Sequence, residues 1–310
     1  MYSKKLSIVI PHYNSCELAM KLIQSIPQRE EVQVILVDDN STDNTDLLEE
    51  CAKQRGVEFY QSDSQVHSAG HCRNMGMDHA LGEWLLFADA DDFFEEDYYE
   101  IIEPYFDQEY DIVYFTPVSK NVKDGSLSNR HISLENLVCN YMKEPGKKSE
   151  TLLRYEFVVP WSKLIRGDLV RQNGIRFDET RVANDVMFSM KCAVSAEKIA
   201  ASDKVIYCIT KGDTTLTTSV KKEDVWTRLK VAVRRYKYLK KYVDRESWKL
   251  LDLRIDRYDR FFKRYKMNVA DRILVWCYML ANGVRPCISR QTNVCDIVPK
   301  LIRKISKRSR

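Results

Sequence analysis

Three aspartates follow an apolar segment in the stretch LLFADADDFFEEDYY, residues 85–99. Asp89, Asp91 and Asp92 are close enough to raise one another's pKa unless a positive group lies nearby. A divalent cation would remove this conflict, because an Asp-x-Asp pair can direct two carboxylates at one ion, and hard oxygen ligands suit Mg²⁺ or Mn²⁺. Such ions commonly complete their coordination with substrate phosphates, so the pattern favours a diphosphate site. The alternative is that Asp91 and Asp92 cap the following helix, and the triplet by itself fits either interpretation.

Apolar runs and helical patterns alternate around this triplet up to residue 118. The strand-like runs are LSIVI (6–10), VQVILV (32–37), VEFYQ (57–61), EWLLFA (83–88) and DIVYFTPV (111–118), and helices are predicted over 15–26, 43–54, 69–80 and 95–106. Short strands separated by helices predict an α/β fold, a doubly wound and mainly parallel sheet with helices on both faces. Ligands of such sheets bind outside the carboxyl ends of the strands. PHYN, DDNSTDNT and DADD each follow a strand, so we expect them to meet in one crevice.

The remaining chain divides by composition near residue 220. Residues 119–150 are polar and predict a loop-rich insertion, followed by a helix over 184–196 and a strand over 204–210. Residues 1–220 carry 23 Lys and Arg against 36 Asp and Glu, whereas residues 221–310 carry 26 against 9. We therefore expect a catalytic domain over 1–220 and a basic helical appendage over 221–310 that meets an anionic surface, either nucleic acid or membrane phospholipid.

Helical periodicity in the appendage favours a membrane surface. One apolar stripe runs through Val225, Leu229, Ala232, Tyr236, Leu239 and Val243, and a second through Leu251, Ile255, Tyr258, Phe262 and Tyr265. The segment ILVWCYMLA (273–281) is too short to span a bilayer, and the tail KLIRKISKRSR carries no acid. Basic amphipathic helices with Trp226, Trp248 and Trp276 suit the headgroup region. The alternative is a helical domain packed on the first domain, with its basic face in water.

The sequence disfavours a secreted protein, a disulfide-stabilised protein and a zinc-ribbon protein. The opening apolar run is interrupted by Pro11 and reads as a strand, not a signal peptide, so we expect a cytoplasmic protein. Nine cysteines without a C-x-x-C pair argue against a disulfide framework and against a zinc ribbon.

Five motifs in order resemble the family 2 glycosyltransferases of the GT-A fold, particularly bacterial enzymes that build capsule and lipopolysaccharide sugars. They are SIVIPHYNSCELAMKLIQSI, VILVDDNSTDNT, GHCRNMGMDHALGEWLLFADADD, PWSKLIR and FDETRVANDVMF. The likeness covers roughly residues 5–215. It implies an inverting, metal-dependent transfer of a sugar from a UDP-sugar to a hydroxyl of a glycan or of an acceptor linked to a lipid diphosphate, with Mn²⁺ or Mg²⁺ as cofactor.

The resemblance also implies roles for donor-binding residues. Pro11 and Tyr13 would line the uracil pocket, while Asp39 accepts a hydrogen bond from the base. Arg73 would pair with phosphate oxygens, with a surface helix charge as the alternative. Asp89 would face the ribose and contribute to the metal site, and Asp91 would hold the metal.

The proposed catalytic base is Asp185, which would take the proton of the acceptor hydroxyl. Asn184 stands where the family often has Glu, which should leave Asp185 less basic than in the usual pair. The alternative is that both residues cap the following helix.

Three further residues are possible substrate contacts under the same resemblance. Trp161 could stack on a sugar or belong to the core, Lys163 could touch phosphate or be solvated, and Asp92 could support the metal site. His67 and His71 are four positions apart, the spacing of two metal ligands on one helix face. The sequence around them lacks the further Cys or Glu ligand that a zinc motif would need.

Two other functions fit parts of the sequence. A nucleotidyltransferase could use a similar sheet, although the Gly-rich phosphate loop of many such enzymes is missing. A non-catalytic anion-binding protein could use the basic tail on nucleic acid, but the acidic first part of the chain argues against this.

Overall fold

A computed structural model of the chain describes residues 3–65, 67–211, 221–251, 253 and 265–284. The first elements follow the order that the apolar runs predict. They are β1 (Lys4–His12), α1 (Cys16–Ser25), β2 (Val32–Asp38), α2 (Thr45–Gln54), β3 (Glu58–Gln61), α3 (Ala69–His79), β4 (Gly82–Phe87), β5 (Phe93–Phe94) and α4 (Tyr98–Ile102). The helix predicted over 95–106 is shorter, because a 3₁₀ turn containing Pro104, which has no amide N–H to donate, replaces its second half.

Two helices occupy half of the segment 119–150, predicted to be a loop-rich insertion, so that prediction is wrong for this half. After β6 (Ile112–Asn121), the chain forms α5 (Ile132–Lys143) and α6 (Lys147–Glu156). Val138 and Leu153 are the buried apolar residues that hold these helices in the core, and one fully buried apolar residue in each helix makes only a weak periodic pattern. The elements β7 (Lys163–Arg166), α7 (Gly167–Gln172), α8 (Val186–Ser195) and β8 (Ile199–Lys211) follow.

The sheet is mixed and mostly parallel, which confirms the predicted fold class. Its eight strands lie in the order β3-β2-β1-β4-β7-β6-β8-β5. β1 pairs in parallel with β2 and β4, β2 with β3, and β6 with β8. β7 is antiparallel to both of its neighbours, and β5 is antiparallel to β8.

Helices cover both faces of this sheet, because successive residues of a strand point to opposite sides. In β1, Ile8 and Ile10 contribute to a core with α1, α2 and α4, whereas Val9 contributes to a second core with α3 and the helices α5 to α8. The continuous apolar run of β1 is therefore buried on both sides, as expected of a central parallel strand.

The chain folds into two compact units. The first comprises Met1–Ser219 and Leu239–Leu251, and the second comprises Val220–Tyr238 and Asp252–Arg310. The basic part contains the helices α9 (Lys222–Tyr242), α10 (Arg245–Leu250) and α11 (Val269–Ala281). The domain boundary at residue 220 remains a prediction.

The second unit has a small apolar core of its own. Val225, Leu229 and Val233 of α9 pack with Val275 and Met279 of α11. None of the helices in the described part of the chain is both long and apolar enough to cross a membrane. The predicted stripe residues Ile255, Tyr258 and Phe262, and the basic tail, lie outside the described residues.

Candidate active site

The carboxyl ends of β2, β1 and β4 lie side by side, as the sequence predicts. His12 is paired with Asp38, and Val9 with Phe87 two residues before Asp89. The segments that follow these strands therefore emerge at one edge of the sheet.

Two asparagines make the sharp turns at this edge. Asn14, after β1, has φ +48°, and Asn40, after β2, has φ +56°, in the left-handed region that Asn tolerates better than most residues. The Asn14 side-chain oxygen accepts a hydrogen bond from the Thr42 amide at 2.8 Å, which joins the two turns.

A buried histidine–aspartate pair supports the first turn. His12 Nδ1 lies 2.8 Å from Asp38 Oδ1, and the Ser15 amide donates to His12 Nε2 at 3.1 Å, so Nδ1 carries the proton. Burial would raise the pKa of Asp38, but hydrogen bonds from His12 and Ser41 lower it below its ordinary value. This pair was not predicted from the sequence, although PHYN and VDDN follow strands expected to be neighbours.

Asp39 and the exposed ring of Tyr13 both contact His67, and one carboxylate oxygen of Asp39 has no partner in the described part of the chain. The residue is only 4% exposed, and its Oδ2 accepts the Ser68 amide at 2.7 Å. Among the residues that the structure describes, its buried Oδ1 has no hydrogen-bond partner, which is costly for a carboxylate oxygen unless a ligand supplies a donor. Tyr13 is 48% exposed, whereas Pro11 is buried in β1. An acceptor next to a ring is the arrangement expected of a pocket for a planar base with an N–H group.

Arg73 is buried in α3 and contacts two segments at once. Its Nη2 lies 2.5 Å from Asp89 Oδ1, and its Nη1 donates to Asn184 Oδ1 at 2.9 Å. The alternative of a surface charge is therefore wrong, since Arg73 is 5% exposed. The guanidinium offsets the charge of Asp89 and ties the aspartate triplet to the segment of the predicted base.

The other two aspartates of the triplet differ in environment. Asp92 is 6% exposed, and its two oxygens accept from Tyr207 Oη at 2.9 Å and from the Thr210 amide at 2.7 Å. Burial raises the pKa of the Asp92 carboxyl well above its ordinary value, and the charges of Asp91 and Asp89 add to the rise. Asp92 thus joins the end of β4 to β8, which favours a structural role over a substrate contact.

Asp91 is exposed and is the carboxylate of the triplet most open to an ion. Surrounding protein still displaces part of its hydration, which raises the pKa of the carboxyl, and the charge of Asp89 raises it further. Because the side chain is exposed, water limits this shift. Two hard oxygen donors in mutual repulsion suit Mg²⁺ or Mn²⁺, so Asp91 with Asp89 fits such an ion. Within residues 3–65, 67–211, 221–251, 253 and 265–284, no group of three His, Cys, Asp or Glu is arranged as a metal site.

Asp185 is half-buried at the start of α8, and its side chain does not cap the helix. Ala183, two residues earlier, has φ +55°, which turns the chain sharply just before the helix. Lost hydration raises the pKa of Asp185 above its ordinary value, the charge of Arg73 opposes this rise, and that of Asp89 adds to it. A carboxylate with a raised pKa and no capping bond is a suitable general base.

Trp161 and Lys163 lie in the core. The Trp161 ring is 5% exposed and stacks on Tyr207 at a centroid distance of 5.6 Å, so it supports the residue that contacts the aspartate turn. Lys163 Nζ donates to the Phe157 carbonyl at 2.5 Å, and burial lowers the pKa of Lys163 to about 7. The alternative of a solvated Lys163 is wrong. Its burial beneath α8 does not favour the predicted phosphate contact.

Asn74 and Gly70 fix the segment that leads to Asp185, and neither residue was predicted from the sequence. The Asn74 side chain donates to the Phe177 carbonyl at 3.1 Å and accepts the Phe177 amide at 2.9 Å. A Cβ at Gly70 would lie 2.1 Å from the Asp178 carbonyl oxygen, so α3 and this segment are in close contact. The sequence feature that could have identified them is the motif R-N at residues 73 and 74, three positions after Gly70.

His67 and His71 belong to different groups. His67 Nδ1 lies 2.9 Å from the Asp39 carbonyl oxygen, and its ring contacts Tyr13 at 4.4 Å. His71 lies between Asp63 at 2.9 Å and Glu179 at 3.3 Å. These different partners do not support a zinc site shared by the two histidines.

Comparison with known proteins identifies a family. The model of glycosyl transferase family 2 matches residues 7–168, more than half of the chain. The poly(ribitol-phosphate) beta-N-acetylglucosaminyltransferase TarS of Staphylococcus aureus is 28% identical over 216 residues, which cover 67% of this chain and 36% of TarS. The chain thus spans about a third of the length of this curated relative.

Solved structures share the fold. The crystal structure of S. aureus TarS 1–349 in complex with UDP-GlcNAc has a TM-score of 0.69 at 21% identity, covering 90% of this chain and 81% of that one. The mannosyltransferase PcManGT from Pyrobaculum calidifontis, in complex with GDP-Man and Mn²⁺, has a TM-score of 0.54 at 14% identity and covers 99% of this chain and 81% of that one.

Proposed function

Because the chain belongs to glycosyl transferase family 2, we propose that it transfers a sugar from a UDP-sugar to an acceptor hydroxyl with inversion of configuration. The observation that carries this proposal is the double contact of Arg73 with Asp89 and Asn184. Asp89 is one of the aspartates that would contact the donor diphosphate. Asn184 precedes Asp185, the base that would contact the acceptor. Arg73 therefore links the donor side of the site to the acceptor side. Donor and acceptor groups then belong to one hydrogen-bonded site.

The uracil of the donor would occupy the pocket formed by Tyr13 and Asp39. The imide N–H of uracil is a donor that would satisfy the buried Asp39 Oδ1, and the base would stack on the exposed Tyr13 ring. The UDP-GlcNAc held by the TarS structure supports a donor of this class.

Asp185 would take the proton of the attacking hydroxyl. Transfer needs a bond from the acceptor oxygen to the anomeric carbon while the bond to the departing UDP breaks on the opposite side, and a single displacement inverts the configuration. The raised pKa of Asp185 makes it a better proton acceptor than an ordinary aspartate. Arg73 keeps the neighbouring Asp89 charge partly neutralised, which limits the rise in the pKa of Asp185.

Mn²⁺ or Mg²⁺ would be held by Asp91 with a contribution from Asp89. A bound ion supplies electrostatic stabilisation of the charge that develops on the diphosphate leaving group. The Mn²⁺ and GDP-Man in the complex of PcManGT support this assignment.

The acceptor would be a glycan or an oligosaccharide linked to a lipid diphosphate in cell-surface polysaccharide synthesis. The name of the TarS relative adds a ribitol-phosphate polymer to the acceptors to be tested. We further propose that the protein works in the cytoplasm, attached peripherally to the inner face of the cytoplasmic membrane.

A panel of UDP-sugars with these acceptors tests the proposal. We expect UDP release that depends on one donor, on an acceptor and on a divalent ion, with a glycosidic product of inverted configuration. Release of pyrophosphate would identify a nucleotidyltransferase instead. Transfer that is unchanged after chelation of all divalent ions would contradict the metal-dependent mechanism.

A further inference from the structure

The turn that carries the three aspartates is anchored to the end of β8. Residues 89–92, which we call the aspartate turn, are closed by a hydrogen bond from the Asp92 amide to the Asp89 carbonyl at 3.0 Å. This bond joins the ends of the turn, but the carboxylates of Asp89 and Asp91 repel each other and favour a wider spacing. Contacts from outside the turn can oppose that movement.

Tyr207 of β8 bridges the two ends of the aspartate turn. Its hydroxyl accepts a hydrogen bond from the Asp89 amide at 2.8 Å and donates one to Asp92 Oδ2 at 2.9 Å. The buried Tyr207 ring stacks on Trp161 at a centroid distance of 5.6 Å and contacts Phe94 in a T-shaped arrangement at 5.4 Å. Close packing on these rings leaves the hydroxyl little freedom to move.

Thr210 of β8 holds the backbone of Asp91. The Thr210 hydroxyl donates to the Asp91 carbonyl at 2.6 Å, and the Thr210 amide donates to Asp92 Oδ1 at 2.7 Å. The hydroxyl bond uses the main chain of Asp91, so it does not occupy the exposed Asp91 carboxylate.

Other contacts hold the aspartate turn from both sides. β5, which begins directly after the turn, pairs antiparallel with β8. Arg73 Nη2 lies 2.5 Å from the Asp89 carboxylate. Asp89 is thus held at its amide by β8 and at its carboxylate by α3.

We infer that Tyr207 and Thr210 are positioning residues, which hold the backbone of Asp89 and Asp91 where both carboxylates can bind one divalent ion. Groups that orient metal ligands from behind contribute about 10- to 100-fold to metal affinity. The inference rests on the proposed function, because it takes Asp89 and Asp91 as the metal ligands proposed there.

The alternative is that the two β8 hydroxyls only stabilise the sheet. The neighbouring strand β6 offers a comparison, since Tyr114 Oη and Thr116 Oγ1 are buried there and form no hydrogen bond with any described residue. The sheet therefore accommodates Tyr and Thr hydroxyls without such bonds, whereas the hydroxyls of Tyr207 and Thr210 both bind the aspartate turn. This contrast favours positioning of the turn over stabilisation of the sheet.

Calorimetric titration of UDP with and without Mn²⁺ tests the role of Thr210. We call the factor by which Mn²⁺ raises the affinity for UDP the Mn²⁺ gain. Thr210→Val removes the hydroxyl and keeps the amide that binds Asp92, so we expect the Mn²⁺ gain to fall about three- to tenfold while UDP affinity without metal is unchanged. Thr210→Ser keeps a hydroxyl and should retain the wild-type Mn²⁺ gain.

Tyr207→Phe tests the other anchor. It removes the acceptor of the Asp89 amide and a donor to Asp92, so we expect the Mn²⁺ gain to fall about 10- to 100-fold. Amide hydrogen exchange at Asp89 needs neither UDP nor metal. It should become at least about tenfold faster in Tyr207→Phe, because the amide has lost its acceptor.

Thr116→Val and Tyr114→Phe are the matched controls, because they make the same changes at hydroxyls that no described residue binds. Both variants should keep the wild-type Mn²⁺ gain and the wild-type exchange rate at Asp89. Thr210 is half-buried, so its Val and Ser variants decide the inference even if Tyr207→Phe does not fold.

Three results would overturn the inference and leave the proposed metal site intact, provided that Asp91→Asn lowers the Mn²⁺ gain. The first is a wild-type Mn²⁺ gain in Thr210→Val, with or without a lower melting temperature, since a purely structural role would change only the latter. The second is an equal loss in Thr210→Ser and Thr210→Val. The third is unchanged exchange at Asp89 in a folded Tyr207→Phe variant.

A different result would contradict the proposed metal site itself. If Mn²⁺ does not strengthen UDP binding by the wild type, Asp89 and Asp91 do not hold an ion with the donor diphosphate. The inference about Tyr207 and Thr210 would then be wrong as well.

Discussion

Four carboxylates of the candidate site differ in exposure and in how many of their oxygens already accept hydrogen bonds from the protein. Asp39 is buried with one oxygen that no described residue contacts by a hydrogen bond, Asp91 is exposed, and both oxygens of Asp92 accept hydrogen bonds from β8. Asp185 is half-buried without a capping bond. Their roles follow from these environments, since the residue type is the same.

Asp39→Asn should impair donor binding more than the chemical step. The Ser68 amide would hold the new side-chain oxygen where Oδ2 now lies, so the amide NH₂ would face the base and meet the uracil N–H with another donor. We expect the KM for the UDP-sugar to rise about 10- to 100-fold with a smaller change in kcat. Steady-state kinetics with the donor varied measures both, and an unchanged KM would contradict the base pocket. Asp46→Asn, at an exposed position of α2, is the control.

Asp91→Asn should uncouple UDP binding from the metal. In the wild type, Mn²⁺ should strengthen UDP binding, because Asp91 with Asp89 would hold the ion and its charge would favour the diphosphate. In the variant we expect this strengthening to fall at least about tenfold, while binding without metal is unchanged. Calorimetric titration of UDP with and without Mn²⁺ measures both affinities, and Glu96→Gln, at an exposed position, is the control. The same effect of Mn²⁺ in Asp91→Asn and the wild type would exclude Asp91 as a ligand.

The sequence predicts which residues lie at the crevice better than it predicts what they contact. Arg73 reaches Asn184, 111 positions away, and such a contact depends on how distant segments pack. Lys163 was expected to touch phosphate or to be solvated, yet three aromatic and polar partners from separate elements enclose it: Tyr114, Phe157 and Ser189. Burial of a charged side chain is decided by such packing and leaves no local pattern in the sequence.

At the scale of elements, α3 and the segment before α8 hold the crevice together. Asn74 and Ser68 bind the backbone of residues 177 and 180, and Arg73 binds Asn184. A displacement of this segment would therefore move Asp185 relative to the donor aspartates.

Gly70→Ala tests this coupling. The new Cβ would meet the Asp178 carbonyl oxygen at 2.1 Å and Asn184 Cβ at 3.0 Å, so the backbone must shift. We expect a loss of about 1–3 kcal/mol in the free energy of unfolding and a larger proportional loss in kcat than in donor affinity. Gly146→Ala is the control, because its Cβ would meet no atom within 4 Å. Full activity in a folded Gly70→Ala variant would show that the segment tolerates displacement.

Elements marked by a clear apolar run could be predicted from the sequence, and elements without one could not. Parallel strands such as β1 and β2 are continuous apolar runs between turn residues, and their boundaries agree closely with the sequence. β5 has two residues and β7 has four, too few for a periodic pattern, and both depend on antiparallel pairing with strands distant in sequence. Seven of the ten residues of α6 are polar, and Val138 is the one fully buried residue of α5, so the buried apolar face of each helix was too narrow to recognise.

At the scale of the whole molecule, charge and chemistry are distributed between different parts of the chain. The acidic part carries the crevice and the family motifs, and the basic part, residues 221–310, carries 26 Lys and Arg against 9 Asp and Glu. The family could be identified from five motifs in a fixed order. Each motif combines a strand with the site residues that directly follow it, so the motif is visible within a short stretch of sequence. The sugar and the acceptor could not be identified, since specificity depends on the shape of the completed pocket.

The most direct test of the central claim is UDP-sugar turnover by the wild type and by Asp185→Asn, with Asp203→Asn at an exposed position as control. If Asp185 accepts the proton of the attacking hydroxyl, Asp185→Asn should lower kcat by about 10² to 10⁴ while UDP affinity and melting temperature are unchanged. Asp203→Asn should match the wild type. Transfer by Asp185→Asn at the wild-type rate would contradict the account.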